Sequence, residues 1–127
     1  MKARLPTIGL ILIAFSATAK DLTVEQLLAR PREFSGKRVS VTGFYVAANE
    51  ESSLFITREA AKQGDVDQSI WVELHGASNF RLAVNQYVRF IGTFHYRSKA
   101  AARRMRGYGH LGSSPSQLDV ASFALLR

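Results

Sequence analysis

The chain has 127 residues, 46% of them hydrophobic, no cysteine, and 17 Lys and Arg against 10 Asp and Glu for a net charge of +7. That length supports one core and one domain without covalent staples, and the missing cysteines exclude disulfides, thiolate metal sites and cysteine nucleophiles. Lys2 and Arg4 lie at the N-terminus and Arg97, Lys99, Arg103, Arg104 and Arg106 lie together, so the remainder is balanced at ten charges of each sign. A concentrated patch of this kind reads as an interaction site.

In chain order, Lys2 and Arg4 precede an almost wholly apolar run from Ile8 to Phe15, followed by Ala17-Thr18-Ala19. This is the order of a secretory signal peptide, and the run is shorter than the roughly 20 residues that span a bilayer. The expectation is cleavage after Ala19, with residues 1–19 the signal peptide and residues 20–127 a single exported, periplasmic domain. An uncleaved anchor is the alternative. No cysteine follows the run, which excludes a lipid-anchored lipoprotein, and zero cysteines fit a periplasmic address.

Thr23-Val24-Glu25-Gln26 fits a capping box. Val24, Leu27 and Leu28 then give one apolar helical face, and Pro31 ends the helix near Arg30. Five strands are expected next. Residues 36–46 alternate Val39, Val41 and Gly43 with Arg38, Ser40 and Thr42. After a polar turn at 49–52, residues 53–57 form the second, with Leu54 and Ile56 on one face. Residues 58–63 read as a helical turn closed by Gly64. Residues 68–74 form the third strand, with Ile70, Val72 and Leu74 inward. Residues 75–85 hold at most a short helix, and 86–97 and 117–126 form the last two strands. VSVTG (39–43) and VRFIG (88–92) echo one another, and a glycine inside a strand marks a bulge or a barrel corner. The fold class is therefore mainly β, a five-stranded Greek-key OB-fold-like barrel with a short N-terminal helix after the signal peptide. A β-sandwich is the rival, but sandwiches usually need seven or more strands.

The stretches LLARPREFSGKRVSVTGFY, LFITREAA, IWVEL, YVRFIGTF and GHLGS together resemble a family of small bacterial exported proteins with an OB-like fold. The resemblance spans about residues 22–125 and implies the fold and export, with no established biochemical activity. The arginine cluster 103–106 and Pro115 depart from the family pattern around the G-H-x-G turn.

Residues able to carry chemistry are few. His75, His95 and His110 show no local metal-binding spacing. There is no nucleophile elbow and no S-x-x-K at a strand-to-helix turn, no singled-out carboxylate pair and no phosphate-cradling glycine loop. Asp65 and Asp67 read as turn residues beside Gly64. The expectation is a protein that is not an enzyme and needs no metal or cofactor; an enzyme using His95 or His110 is the outlying alternative. Period 2 sends Phe55 and Trp71 to the outside of the second and third strands. There they either form a stacking platform on the face that OB folds commonly use for oligonucleotides and oligosaccharides or pack beneath the helix or a loop. The stretch 97–110 lies between the fourth and fifth strands, in one of the two loops that line this face. It adds Arg97, Lys99, Arg103, Arg104 and Arg106, with Tyr108 and His110 at the turn. Arginine suits phosphate because its planar fork donates two parallel hydrogen bonds; the opposing reading is a solvated hairpin that keeps the edge unpaired. The expected function is a binding module that engages an anionic partner through this basic loop. The partner is a glycan, a lipid headgroup, a nucleic acid or an acidic protein surface. A structural subunit docking on another cell-envelope protein is the alternative.

Overall fold

The computed structural model describes residues 20–48, 50–75 and 80–126, so the signal-peptide reading of residues 1–19 lies outside them. The elements in order are β1 (Lys20–Thr23), α1 (Val24–Ala29), α2 (Pro31–Phe34), β2 (Arg38–Ala48), β3 (Glu51–Phe55), α3 (Arg58–Gln63), β4 (Ser69–Leu74), β5 (Gln86–Tyr96), α4 (Lys99–Arg103) and β6 (Ser116–Leu125). Two 3-10 turns, Val66–Gln68 and Phe80–Ala83, precede β4 and β5. Neighbouring strands follow the order β2-β3-β4-β6-β5, and β5 pairs back with β2, which closes a five-stranded barrel. All of those pairings are antiparallel except β4 with β6. This is an OB-type barrel, as the strand pattern of the sequence implies.

Alternation explains which residues enter the core. Val39, Val41 and Tyr45 of β2, Leu54 of β3, Ile70 and Val72 of β4, and Val88, Phe90 and Phe94 of β5 are buried in one cluster. On β6 the inward set changes parity, from Leu118 and Val120 to Phe123 and Leu125. The cause is a bulge: Gly92 pairs with Val120 but Ile91 pairs with Ser122, which leaves Ala121 as the extra residue. The echoed glycines mark the two places where the barrel crowds its own backbone. β2 passes from β1 to β3 at Gly43, where a Cβ would come within 2.8 Å of Val24 and Leu54 side chains. At Gly92 a Cβ would overlap the Asp119 carbonyl across the bulge.

Thr23 caps α1, accepting from the Gln26 backbone N–H while the Gln26 side chain accepts from the Thr23 N–H. The cap turns Val24 and Leu27 into the barrel core. The 3-10 turn Phe80–Ala83 adds Phe80 and Ala83 to the same core, with Phe80 packed against Phe90 and Phe123.

Three features depart from the sequence reading. β1 adds a sixth strand parallel to β2, in a stretch too short and polar to show alternation. The second strand begins at Glu51 and ends at Phe55, because Thr57 leaves the sheet to cap α3 through the Ala60 N–H. The stretch read as loop or hairpin after β5 contains α4, whose alanines are the strongest helix formers and whose Ser98 accepts from the Ala101 N–H as N-cap. Beyond it, Tyr108 and Ser114 pair across a short hairpin.

Candidate functional site

The β2–β3 turn and the long β5–β6 connection, residues 97–115, flank one cleft over β3 and β4. A cavity of about 250 Å³ opens there. Glu50 and Glu51 form one wall, Ser53, Ser69 and Trp71 the floor, and Tyr108, Gly109, His110 and Leu111 the other wall. Glu50 turns the chain with φ of +68°, and its carboxylate reaches His110 Nδ1 at 3.4 Å across the cleft. A second, shallower groove shares Val66 and Ser113 with this cavity and is lined beyond them by Asp67, Lys99, Arg103 and Met105.

The predicted site residues separate into distinct groups. Trp71, Tyr108 and His110 line the cavity. Trp71 donates through Nε1 to Glu73 at 2.8 Å, and Gly109 lies against its six-membered ring. A Cβ at Gly109 would approach that ring to 2.9 Å, and the residue sits at φ of +87°, which glycine adopts without cost. Lys99 and Arg103 line the adjoining groove, while Arg104 and Arg106 are exposed on the turn after α4. Arg97 is engaged within the loop itself: its guanidinium stacks 4.6 Å from the Tyr108 ring and donates to the Arg106 carbonyl at 2.9 Å. One face of Tyr108 is therefore already occupied by a cation.

Phe55 requires a correction. It lies on the outer face, opposite Phe44, yet it is only 5% exposed. α3 follows β3 closely and packs over β2 and β3, and Arg58 stacks 5.4 Å above Phe44. The outward face of β3 is thus covered at Phe55, which takes the packed placement of the two the sequence left open, while Ser53 on the same face floors the cavity.

One cluster escaped the sequence reading. His95 Nε2 lies 2.9 Å and His75 Nε2 3.6 Å from the Asp119 carboxylate, which also accepts from the Gln117 amide at 2.8 Å. Burial pushes the Asp119 carboxyl up. The Gln117 hydrogen bond, the His95 charge and hydrogen bond, and the nearby His75 ring outweigh burial and hold it below its ordinary value of 3.8. A carboxyl lowered on folding adds stability above its unfolded pKa and loses it as pH falls through the folded one. Asp119→Asn should therefore destabilise the protein at pH 7 by less than about 1 kcal/mol, the scale of a part-exposed ion pair. In urea melts that difference should shrink near pH 2, and one of equal size at both pH values would contradict this assignment. Among the described residues no group of three or more His, Asp or Glu side chains is placed to hold a metal ion.

A second cationic surface, a shallow groove lined by Lys20, Lys37 and Arg38 with Glu33, lies beside α2 and the start of β2. Among the described residues no helix is long and apolar enough to cross a membrane. No protein-family model and no curated protein matches this sequence. Fold and cleft together define the class: an OB-type barrel with a loop-walled cavity on the face formed by its second and third barrel strands.

Proposed function

We propose that this chain is an exported, non-enzymatic OB-fold binding module that engages an anionic ligand or surface through its basic β5–β6 loop. The observation that carries the reading is the placement of Lys99, Arg103, Arg104 and Arg106. All four are exposed on α4 and the turn after it, and two of them line a groove continuous with the cleft between the β2–β3 and β5–β6 loops. OB folds commonly bind extended polymers along this face. Export, and a periplasmic address, rest on the order of Lys2 and Arg4, the apolar run and Ala17-Thr18-Ala19.

The test is a titration with single-stranded DNA as a generic polyanion, read by Trp71 fluorescence at several salt concentrations. Arg97 is stacked on Tyr108 and bonded to the Arg106 carbonyl, so the contact set is taken as the four cations of α4 and its following turn. At roughly −0.7 per phosphate contact, the log–log salt slope should be about −2.8. A slope near zero, or no binding, would overturn the reading.

Docking on another envelope protein is the second reading. Its support is the apolar lip of Val66, Met105 and Leu111, exposed by 50%, 62% and 65% along the border of the two grooves. It predicts capture of one protein partner with salt-insensitive affinity, and loss of that capture in Met105→Glu.

A further inference from the structure

The cavity beside the basic groove has the opposite chemistry. We infer that it is a separate subsite for an amino sugar, a rigid ring carrying a primary ammonium among hydroxyl donors. The inference rests on the reading above only in taking the cleft between the two loops as a ligand site.

Several of the cavity's own hydrogens are already committed. A serine hydroxyl has one hydrogen to donate and two lone pairs to accept with. Ser53 donates its hydrogen to the Glu51 carboxylate. Ser69 donates to the Val66 carbonyl at 2.9 Å, and Ser114 donates to the Ser116 carbonyl at 2.9 Å. All three hydroxyls line the cavity and offer a ligand only lone pairs. The Trp71 N–H is likewise committed, to Glu73. Glu50 and Glu51 supply acceptors alone, and among the described residues no Lys or Arg lines this cavity. The described lining is therefore bounded by two carboxylates over a floor of acceptors; the Tyr108 and Ser113 hydroxyls and the His110 ring, which faces Glu50 at 3.4 Å, are its remaining hydrogen-bearing groups. A phosphate or carboxylate group placed there would face the like charge of Glu50 and Glu51, whereas an ammonium would meet carboxylates and part-buried oxygens.

Shape separates a sugar from the other common ammonium, a lysine side chain. The acceptors stand on three different elements: the β2–β3 turn, the β3–β4 floor and Ser114 of the hairpin. Lysine radiates all its donors from one atom at the end of a flexible stem. A hexosamine radiates an ammonium and several hydroxyls from the edges of a rigid ring, which suits a broad cavity of about 250 Å³ with the apolar sides of Trp71 and Leu111 along it.

The experiment titrates the full chain with the fully deacetylated glucosamine tetramer and with its N-acetylated counterpart, by calorimetry and Trp71 fluorescence. Tetralysine and single-stranded DNA are run in parallel. Acetylation removes the charge, so the deacetylated tetramer should bind at least about tenfold tighter, the scale of one charged hydrogen bond. Glu50→Gln with Glu51→Gln should lose a similar factor, with far-UV dichroism checking the fold. The variant lacking Arg103, Arg104 and Arg106 should bind the deacetylated tetramer as well or better, because it loses only repulsive cations. Equal binding of both tetramers, binding of neither, or tetralysine binding as tightly as the sugar would overturn the inference. The single-stranded DNA arm reports separately on the basic loop, so failure of the amino-sugar subsite and failure of the anionic-partner reading are told apart.

Discussion

Gly92→Ala should destabilise the protein by about 3 kcal/mol, at the upper end of what overpacking a tight interior costs. The position is not a flexible loop where a methyl group finds room. Gly92 sits on β5 at the bulge where β6 changes the face it presents, and a Cβ there would overlap the Asp119 carbonyl. Backbone cannot rotate aside as a side chain can, so β5 and β6 must separate locally. The same bulge sets the parity that sends both Val120 and Phe123 inward, so the strain falls on two layers of the core. For a domain near 100 residues each kcal/mol moves the melting temperature by roughly 4–8 °C, so a drop on the order of 15 °C is expected by circular dichroism. A shift below about 3 °C would mean that the bulge tolerates a side chain and is not a specified corner of the barrel.

Replacing Arg103, Arg104 and Arg106 with alanine should have the largest effect on binding. All three side chains are exposed, so the fold should be unaffected within the roughly ±0.5 kcal/mol usual for surface changes. Each removed contact takes about 0.7 from the salt slope, so the slope should flatten from about −2.8 to about −0.7. Affinity for single-stranded DNA at low salt should fall on the order of a hundredfold. Arg97→Ala should behave differently. It removes the cation stacked on Tyr108 and the bond to the Arg106 carbonyl, and so loosens the loop while leaving the four cations of α4 and its following turn in place. An unchanged slope in the triple variant would assign the polyanion to another surface.

The barrel was legible because its determinants are local. Period 2 in β2, β4 and β5 and the paired V-x-[apolar]-x-G segments specify strands and corners, and Gly43 and Gly92 stand where the chain crowds itself. The features missed depend on register and cover. The outward direction of Phe55 was readable and cover by a helix or loop was one of its two placements, but not that α3, three residues on, packs against β3. His95 and Asp119 lie 24 residues apart and meet only through the β5–β6 register. His75 joins them because β4 runs parallel beside β6. The site divides for the same reason. The sequence sets five cations beside a glycine-aromatic-histidine turn as though they were one surface. The hairpin instead folds Tyr108 and His110 toward Glu50 and Trp71, turns Arg97 back onto Tyr108, and leaves the other cations on α4 and its following turn. Nor can a sequence show that the serine hydrogens in the cavity are already spent, since that depends on partners such as the Val66 and Ser116 carbonyls.

The most direct test of the basic loop as the contact surface is amide chemical-shift mapping of the isotope-labelled protein during titration with single-stranded DNA. Among the described residues, cations line the groove beside α4, the groove of Lys20, Lys37 and Arg38, and a groove with Arg58 and Lys62, and mapping shows directly which of them binds. The expected result is a set of salt-sensitive shifts centred on residues 98–106 and extending to Val66 and residues 113–114. Shifts centred instead on Lys20, Lys37 and Arg38, with residues 98–106 unmoved, would contradict the account and move the binding surface to the other side of β2.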